Sequence, residues 1–152
     1  MDYSDAIEID ASPEMVFSVL SDLPGMGRLS PENTGGKWLG SATGPREGAK
    51  FLGENQHEGQ GDTWTTIATV KKFDPPSCFI FDITWKRFPI SRWEFCVEPT
   101  PTGCRVIEKW EDRRNWLIRR HGDKEFSRAD YTKKSIRTTL EQLKAYCESY
   151  VA

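Results

Sequence analysis

The spacing of apolar positions changes once along the chain, and that change sets out the fold. From about Gly48 to Asp112 apolar and polar residues alternate with a period of two, so this region predicts a succession of strands with one buried face. After Ser127 the period lengthens: Ile136, Leu140, Leu143, Cys147 and Tyr150 recur at steps of four, three, four and three, while Lys134, Arg137, Thr138, Glu141, Lys144 and Glu148 take other faces. The spacing predicts one amphipathic helix from Ser127 to Ser149, roughly 33 Å long. Ser127 with Asp130 three residues on resembles a capping box and places the start near Arg128. Such a helix cannot bury its stripe against itself, and the strands upstream supply the sheet it needs.

In chain order, Tyr3 to Asp10 predicts a first strand, with Ile7 and Ile9 opposed to Glu8 and Asp10. Ser12-Pro13-Glu14 starts a short helix with Val16, Phe17 and Leu20 inward, and Pro24-Gly25 ends it. Ser30-Pro31-Glu32 offers a second helix start, Asn33-Thr34-Gly35-Gly36 reads as a loop, and Trp38-Leu39 as a short strand. Gly48 to Gln56 turns Phe51, Gly53 and Asn55 to one side, and His57 to Asp62 reads as a polar hairpin connection. Trp64 to Phe73 sets Trp64, Thr66, Ala68 and Val70 against Thr65, Ile67, Thr69 and Lys71. Asp74-Pro75-Pro76 forces a turn, after which Cys78 to Trp85 carries Phe79, Phe81, Ile83 and Trp85 on its inner face.

Ser91 to Glu98 places Trp93, Phe95 and Val97 on one side; Arg105 to Asp112 returns with Val106, Glu108 and Trp110. A register opposing Val97 to Val106 and Trp93 to Trp110 joins the two more apolar faces. It buries Glu108 opposite Phe95. It also turns Cys104 inward and Cys96 outward, against a disulfide between them.

Composition narrows the classes. The 152 residues fit one domain over residues 1–152, and six Trp and eight Phe give that small core a heavy aromatic content. With 21 basic and 23 acidic residues, a net charge of −2 offers no global attraction for nucleic acid. Cys78, Cys96, Cys104 and Cys147 lie far apart with no CxxC or Cys/His motif, so no metal site is expected. Only His57 and His121 are present, no Ser/His/Asp triad is readable, and no glycine-rich nucleotide motif occurs, so no cofactor is expected. The opening MDYSDAIEID has neither a basic nor an apolar signal region, and no apolar run is long enough to span a bilayer; the expectation is a cytoplasmic protein, monomer or homodimer.

The chain resembles the START/Bet v 1-like helix-grip (SRPBCC) superfamily, and more closely the polyketide cyclase/dehydrase and lipid-transport family of small bacterial proteins. The resemblance is carried by Ala11-Ser12-Pro13-Glu14-Met15-Val16-Phe17, Ser30-Pro31-Glu32, Trp38-Leu39-Gly40, Gly48-Ala49-Lys50-Phe51-Leu52-Gly53 and Phe73-Asp74-Pro75-Pro76. It continues through Trp93-Glu94-Phe95, Glu98-Pro99, Gly103-Cys104-Arg105-Val106, Glu108-Lys109-Trp110 and Thr139-Leu140-Glu141-Gln142-Leu143-Lys144. It implies an α+β helix-grip fold: a curved antiparallel seven-stranded sheet wrapped around the long C-terminal helix, two short helices after the first strand, and a hydrophobic cavity between sheet and helix. The family supplies no shared catalytic motif, and fold alone supplies no activity.

With that cavity in view, the inward aromatics Trp64, Phe79, Phe81, Trp85, Trp93, Phe95 and Trp110 either line a pocket for an apolar ligand or interdigitate with the helix. Ala129 and Thr132, small residues on the helix face that carries Ile136, leave room near the helix start. Glu108 is the weak catalytic candidate. It is a desolvated carboxylate that hydrogen-bonds a ligand or serves as acid/base; the alternatives are a structural carboxylate paired with Asn55, Thr66 or an arginine, or an outward residue in a slipped register. Arg113-Arg114-Asn115-Trp116-Leu117-Ile118-Arg119-Arg120 sets an apolar trio between arginine pairs. It is either a packed loop with solvated arginines or a gate over the cavity mouth that contacts an anionic lipid surface. The reading is a binder of a hydrophobic small molecule (lipid, polyketide-like or aromatic metabolite); the alternatives are a metal-free cyclase, aromatase or dehydratase, and a protein-partner module.

Overall fold

The computed structural model describes residues 2–57, 60–124 and 127–150. Its strands are β1 (Asp2–Ile9), β2 (Asn33–Trp38), β3 (Lys50–His57), β4 (Gln60–Asp74), β5 (Cys78–Trp85), β6 (Phe88–Thr100) and β7 (Gly103–Asp112). The helices are α1 (Pro13–Leu20), α2 (Trp116–Gly122) and α3 (Arg128–Glu148), with a 3₁₀ turn at Leu23–Arg28. The strands form one curved antiparallel sheet in the order β1-β7-β6-β5-β4-β3-β2, so the first strand joins the last and every other neighbour is a hairpin partner or sequential strand. α3 packs across this sheet.

Local chemistry explains the ends of the elements. Ser12 caps α1 by accepting from the Met15 N–H, with Pro13 at the first helical position. Ser127 caps α3 by accepting from the Asp130 N–H. The β6/β7 register pairs Trp93 with Trp110, Phe95 with Glu108 and Val97 with Val106, so the inner faces of these strands coincide. Cys104 is fully buried on that inner face.

Four local readings are corrected. α1 stops at Leu20, and Pro24-Gly25 lies inside the 3₁₀ turn, where a proline near the start costs nothing. The second helical element is therefore this turn and not a helix starting at Ser30; the Ser30 hydroxyl instead accepts from the Glu32 and Asn33 N–H groups in a tight bend. Asn33 to Gly36 is strand and not loop. Gly36, at φ +143°, runs so close to β3 that a Cβ would collide with the Leu52 carbonyl, so the glycines serve close strand approach behind a bulge at Asn33/Gly35. The connection between β3 and β4 is shorter than His57 to Asp62, because β3 reaches His57 and β4 begins at Gln60; the residues between lie outside those described.

One core runs through the molecule. Val16, Phe17 and Leu20 of α1, Phe79 of β5, and Ile136, Leu140, Leu143 and Cys147 of α3 are buried together. Phe17, Phe73 and Phe79 stack edge-on or tilted at 5.6 to 6.4 Å between ring centroids. The C-terminal end of α3 is tied to β1 by polar contacts as well. The Asp10 N–H donates to Glu148 (2.9 Å) and Lys144 Nζ to the Glu8 carbonyl (3.0 Å).

Candidate functional site

Beyond that packed end, sheet and helix part around a cavity of ≈ 430 Å³. Three neighbouring strands build one side of the wall: Asn55 of β3, Trp64 and Thr66 of β4, Phe81 and Trp85 of β5. Trp93 and Phe95 of β6 with Glu108 and Trp110 of β7 continue it, and α3 closes it with Tyr131, Thr132, Ser135 and Thr139. Thr132, Ser135 and Thr139 share one face of α3 at i, i+3 and i+7, where the side chains are short, and Tyr131 lies next to them. Shortness makes the space.

Of the residues singled out from sequence, Phe79, Ala129 and Ile136 do not line the cavity. Phe79 and Ile136 are fully buried in the core, Phe79 against Phe17 of α1, and Ala129 packs partly buried against that core. Arg128, Tyr131, Ser135 and Thr139 are the α3 lining residues that the sequence reading missed. For Ser135 and Thr139 the spacing from Thr132 was the available signal, and the larger neighbour Ile136 drew the assignment one position too far round the helix.

Glu108 is the chemical centre of the wall. Its residue is 2% exposed, and its Oε2 has no hydrogen-bond partner among the described residues. Asn55 is committed elsewhere, its Nδ2 donating to Thr66 Oγ1 (3.1 Å) and the Trp64 carbonyl (3.4 Å). The pairing of Glu108 with Asn55, Thr66 or an arginine that would satisfy Oε2 is therefore not made. Burial first, and the negative charge of Asp5 second, push the Glu108 carboxyl well above the ordinary glutamate range and favour its neutral acid. A neutral carboxyl in an apolar wall offers one O–H donor and an acceptor to whatever fills the space.

Several of the charged lining residues are held in ion pairs. Arg128 Nη1 donates to Glu32 Oε2 at 2.7 Å, linking the start of α3 to the bend before β2. Arg114, whose side chain is 8% exposed, holds Asp112 (2.8 Å) and Asp123 (3.1 Å). Burial alone would raise the Asp112 carboxyl, but the hydrogen bonds from the Arg114 side chain and N–H outweigh it and hold Asp112 below its ordinary value. The reading of solvated arginines is thus corrected for Arg114. The apolar trio splits: Ile118 lines the cavity, while Trp116 is 67% and Leu117 60% exposed on α2. Trp85 and Phe88 flank the β5–β6 turn, also exposed, with Lys86 and Arg87 between them at positive φ.

A curved seven-stranded antiparallel sheet gripping one long helix, with a cavity walled by aromatics, defines a START/Bet v 1-like helix-grip protein. The chain belongs to the polyketide cyclase / dehydrase and lipid transport family, whose profile matches residues 2–148. Among solved structures it is similar to the di-domain aromatase/cyclase StfQ of the steffimycin biosynthetic pathway (TM-score 0.78, 11% identity), covering 99% of this chain and 51% of that one. The chain thus spans about half the length of that relative. It is also similar to CV1439 from Chromobacterium violaceum (TM-score 0.74, 16% identity, 97% and 96% of the two chains). A third is the polyketide-cyclase-like Cgl2372 from Corynebacterium glutamicum (TM-score 0.62, 24% identity, 99% and 93%). The comparison with curated proteins finds no match. These likenesses establish the fold. Among the described residues no helix is long and apolar enough to cross a membrane.

Proposed function

We propose that the protein binds a hydrophobic small molecule carrying one polar group, with its apolar body against Trp64, Phe81, Trp93 and Trp110 and its polar group on Glu108. The observation that carries this reading is the unpartnered Glu108 Oε2 in an otherwise apolar cavity wall. A buried carboxyl left without a partner costs stability, and a ligand hydroxyl or carbonyl would remove that cost. Lipid, polyketide-like and aromatic metabolites all fit this description. Entry is assigned to α2, where Ile118 lines the cavity while Trp116 and Leu117 stand exposed with Arg120 on the same helix, an apolar and basic element suited to transient contact with anionic lipid.

The test is native mass spectrometry of the purified protein beside a Ser135→Trp variant that fills the cavity. A co-purifying apolar species on the wild type, absent from the variant, supports the reading; absence of any adduct together with failure to take up an apolar fluorophore overturns it.

A second reading, metal-free cyclase or dehydratase chemistry, is favoured by the same group, because a neutral carboxyl can give its proton to a carbonyl oxygen of a bound polyketide-like substrate. Glu108→Gln separates the two. A carrier keeps affinity within roughly tenfold, about 1.4 kcal/mol. An enzyme loses on the order of 10²-fold or more in turnover.

A further inference from the structure

On the sheet face turned away from α3, two cysteines that are distant in sequence stand directly opposite each other: Cys78 of β5 pairs with Cys96 of β6. The Val97 N–H donates to the Ser77 carbonyl at 2.8 Å, which makes Cys78/Cys96 a non-hydrogen-bonded pair, the arrangement in which Cα atoms stand about 4.5 Å apart and side chains approach most closely. Their strand neighbours Phe79 and Phe95 point to the core, so both thiols point away from the cavity. Glu94 lies two residues before Cys96 on the same face. The Cys96 thiol donates to Glu94 Oε1 at 3.2 Å, and one ligand atom from each of Cys78, Glu94 and Cys96 lies within 4.8 Å of the others.

The geometry points to a site for a thiophilic divalent cation, Zn²⁺ by its ligand chemistry, held by Cys78 Sγ, Cys96 Sγ and a Glu94 carboxylate oxygen, with water completing a tetrahedron. With Zn–S about 2.3 Å and Zn–O about 2.0 Å, the edges of such a tetrahedron measure about 3.4–3.8 Å. Before any cation enters, the three ligand atoms lie within 4.8 Å of one another and Cys96 Sγ is 3.2 Å from Glu94 Oε1, a spread that side-chain rotation can close to those edges. Two thiolates and a carboxylate are the soft and borderline donors that select Zn²⁺ over Mg²⁺ or Ca²⁺. Both strands are locked in the centre of the sheet, so the ligands are held by the ladder and not by a loop. Loading forms two metal–sulfur bonds and one metal–oxygen bond and releases the Cys78 and Cys96 protons to solvent, with no change of oxidation state. The proton that now bridges Cys96 Sγ and Glu94 Oε1 occupies the place the cation takes.

The alternative use of paired thiols, as nucleophile or redox couple, asks for a lowered thiol pKa. Here burial first and the Glu94 hydrogen bond second push Cys96 up to about 12, and burial pushes Cys78 up as well. Lys72 opposes the shift at Cys78 without cancelling it, and a bound cation would supply the further positive charge that two thiolates need. The sequence reading of four scattered cysteines is corrected at this point, because the β5/β6 register brings together two that no motif connects.

Titration of the reduced full chain with Co²⁺ tests the site. The expected result is one equivalent bound, with thiolate-to-cobalt absorption in the near ultraviolet and tetrahedral bands in the visible, both erased by Zn²⁺. Cys78→Ser and Cys96→Ser should each lower Zn²⁺ affinity by about 100-fold or more, and Glu94→Gln by about tenfold, with uptake of an apolar fluorophore into the cavity unchanged. The wild-type cobalt spectrum decides the matter even if a cysteine variant folds poorly. Absence of thiolate absorption at stoichiometric Co²⁺, Zn²⁺ affinity that survives loss of both thiols, or a pair that only forms a disulfide and binds no cation when reduced would each overturn the proposal.

Discussion

The two halves of α3 face the same sheet with the same period, yet one half is packed solid and the other borders a cavity. In the C-terminal half, Leu140, Leu143 and Cys147 are fully buried, and Lys144 and Glu148 tie the helix to β1. Toward the N-terminal end the helix side chains that line the cavity include Tyr131, Thr132, Ser135 and Thr139, and Arg128 pairs with Glu32 of the bend before β2. Side-chain length on one helix therefore decides where the fold is core and where it is container, and stability and binding should respond to mutation at opposite ends.

The largest effect is expected at the packed end. Leu143→Ala removes a fully buried side chain among close neighbours and should cost about 2–5 kcal/mol. For a chain of this size that lowers the melting temperature by roughly 4–20 °C. Thr132→Ala, equally on the sheet-facing side but bordering existing space, should cost below about 1 kcal/mol. Thermal denaturation of the pair checks the contrast, and equal losses would mean that the cavity end carries the fold after all. Ser135→Trp sharpens it from the other side: uptake of an apolar fluorophore should fall tenfold or more, about 1.4 kcal/mol, while denaturation changes little.

Glu108→Gln should act on stability with a sign opposite to Leu143→Ala. Because the folded carboxyl has its pKa raised above the unfolded value, the folded state binds more protons than the unfolded state between the two. Stability is then lost as pH rises from the ordinary value of 4.5 toward the folded one. Glutamine carries no such dependence. The variant should match the wild type near pH 4 and exceed it as pH rises, and relief of even about 1.4 kcal/mol would raise the melting temperature by roughly 3–6 °C. A wild-type melting temperature that climbs between pH 5 and 7 relative to the variant would show the carboxylate to be ionised and paired.

Much of this contrast was legible in the sequence. Period-two alternation placed Glu108 between Val106 and Trp110 and gave the β6/β7 register, because a one-residue slip would have turned every aromatic outward. The bulky and the small end of α3 were visible in its inward residues. Three things were hidden. The depth of burial behind the inner face, which moved Phe79 and Ile136 out of the cavity wall, depends on a core assembled from distant parts of the chain, with Phe17 of α1 against Phe79. The conversion of Asn33–Gly36 from loop to strand depends on close approach to β3, which local composition does not report. The meeting of Cys78, Glu94 and Cys96 depends on the pairing of β5 with β6, and spacing along one chain carries no trace of it.

The smallest stability effect is expected at α2, where the contrast between container and core meets solvent. Trp116 and Leu117 are exposed while Ile118, next in sequence, lines the cavity. Replacing Trp116 and Leu117 together by Ser removes little buried area, so denaturation should shift by less than about 0.5 kcal/mol. If α2 is the entry element, the exchange rate of a bound apolar fluorophore between protein and anionic vesicles should fall several-fold, since two large apolar side chains no longer insert at the lipid boundary. Equilibrium affinity for the free fluorophore should stay unchanged, because neither residue lines the wall. Stopped-flow transfer measured with and without anionic lipid separates the steps: a slowdown confined to anionic vesicles assigns the rim to membrane contact, and one that appears equally with neutral vesicles assigns it to gating alone. A loss of stability above about 2 kcal/mol with unchanged transfer would place Trp116 and Leu117 in the core and remove α2 from the entry route.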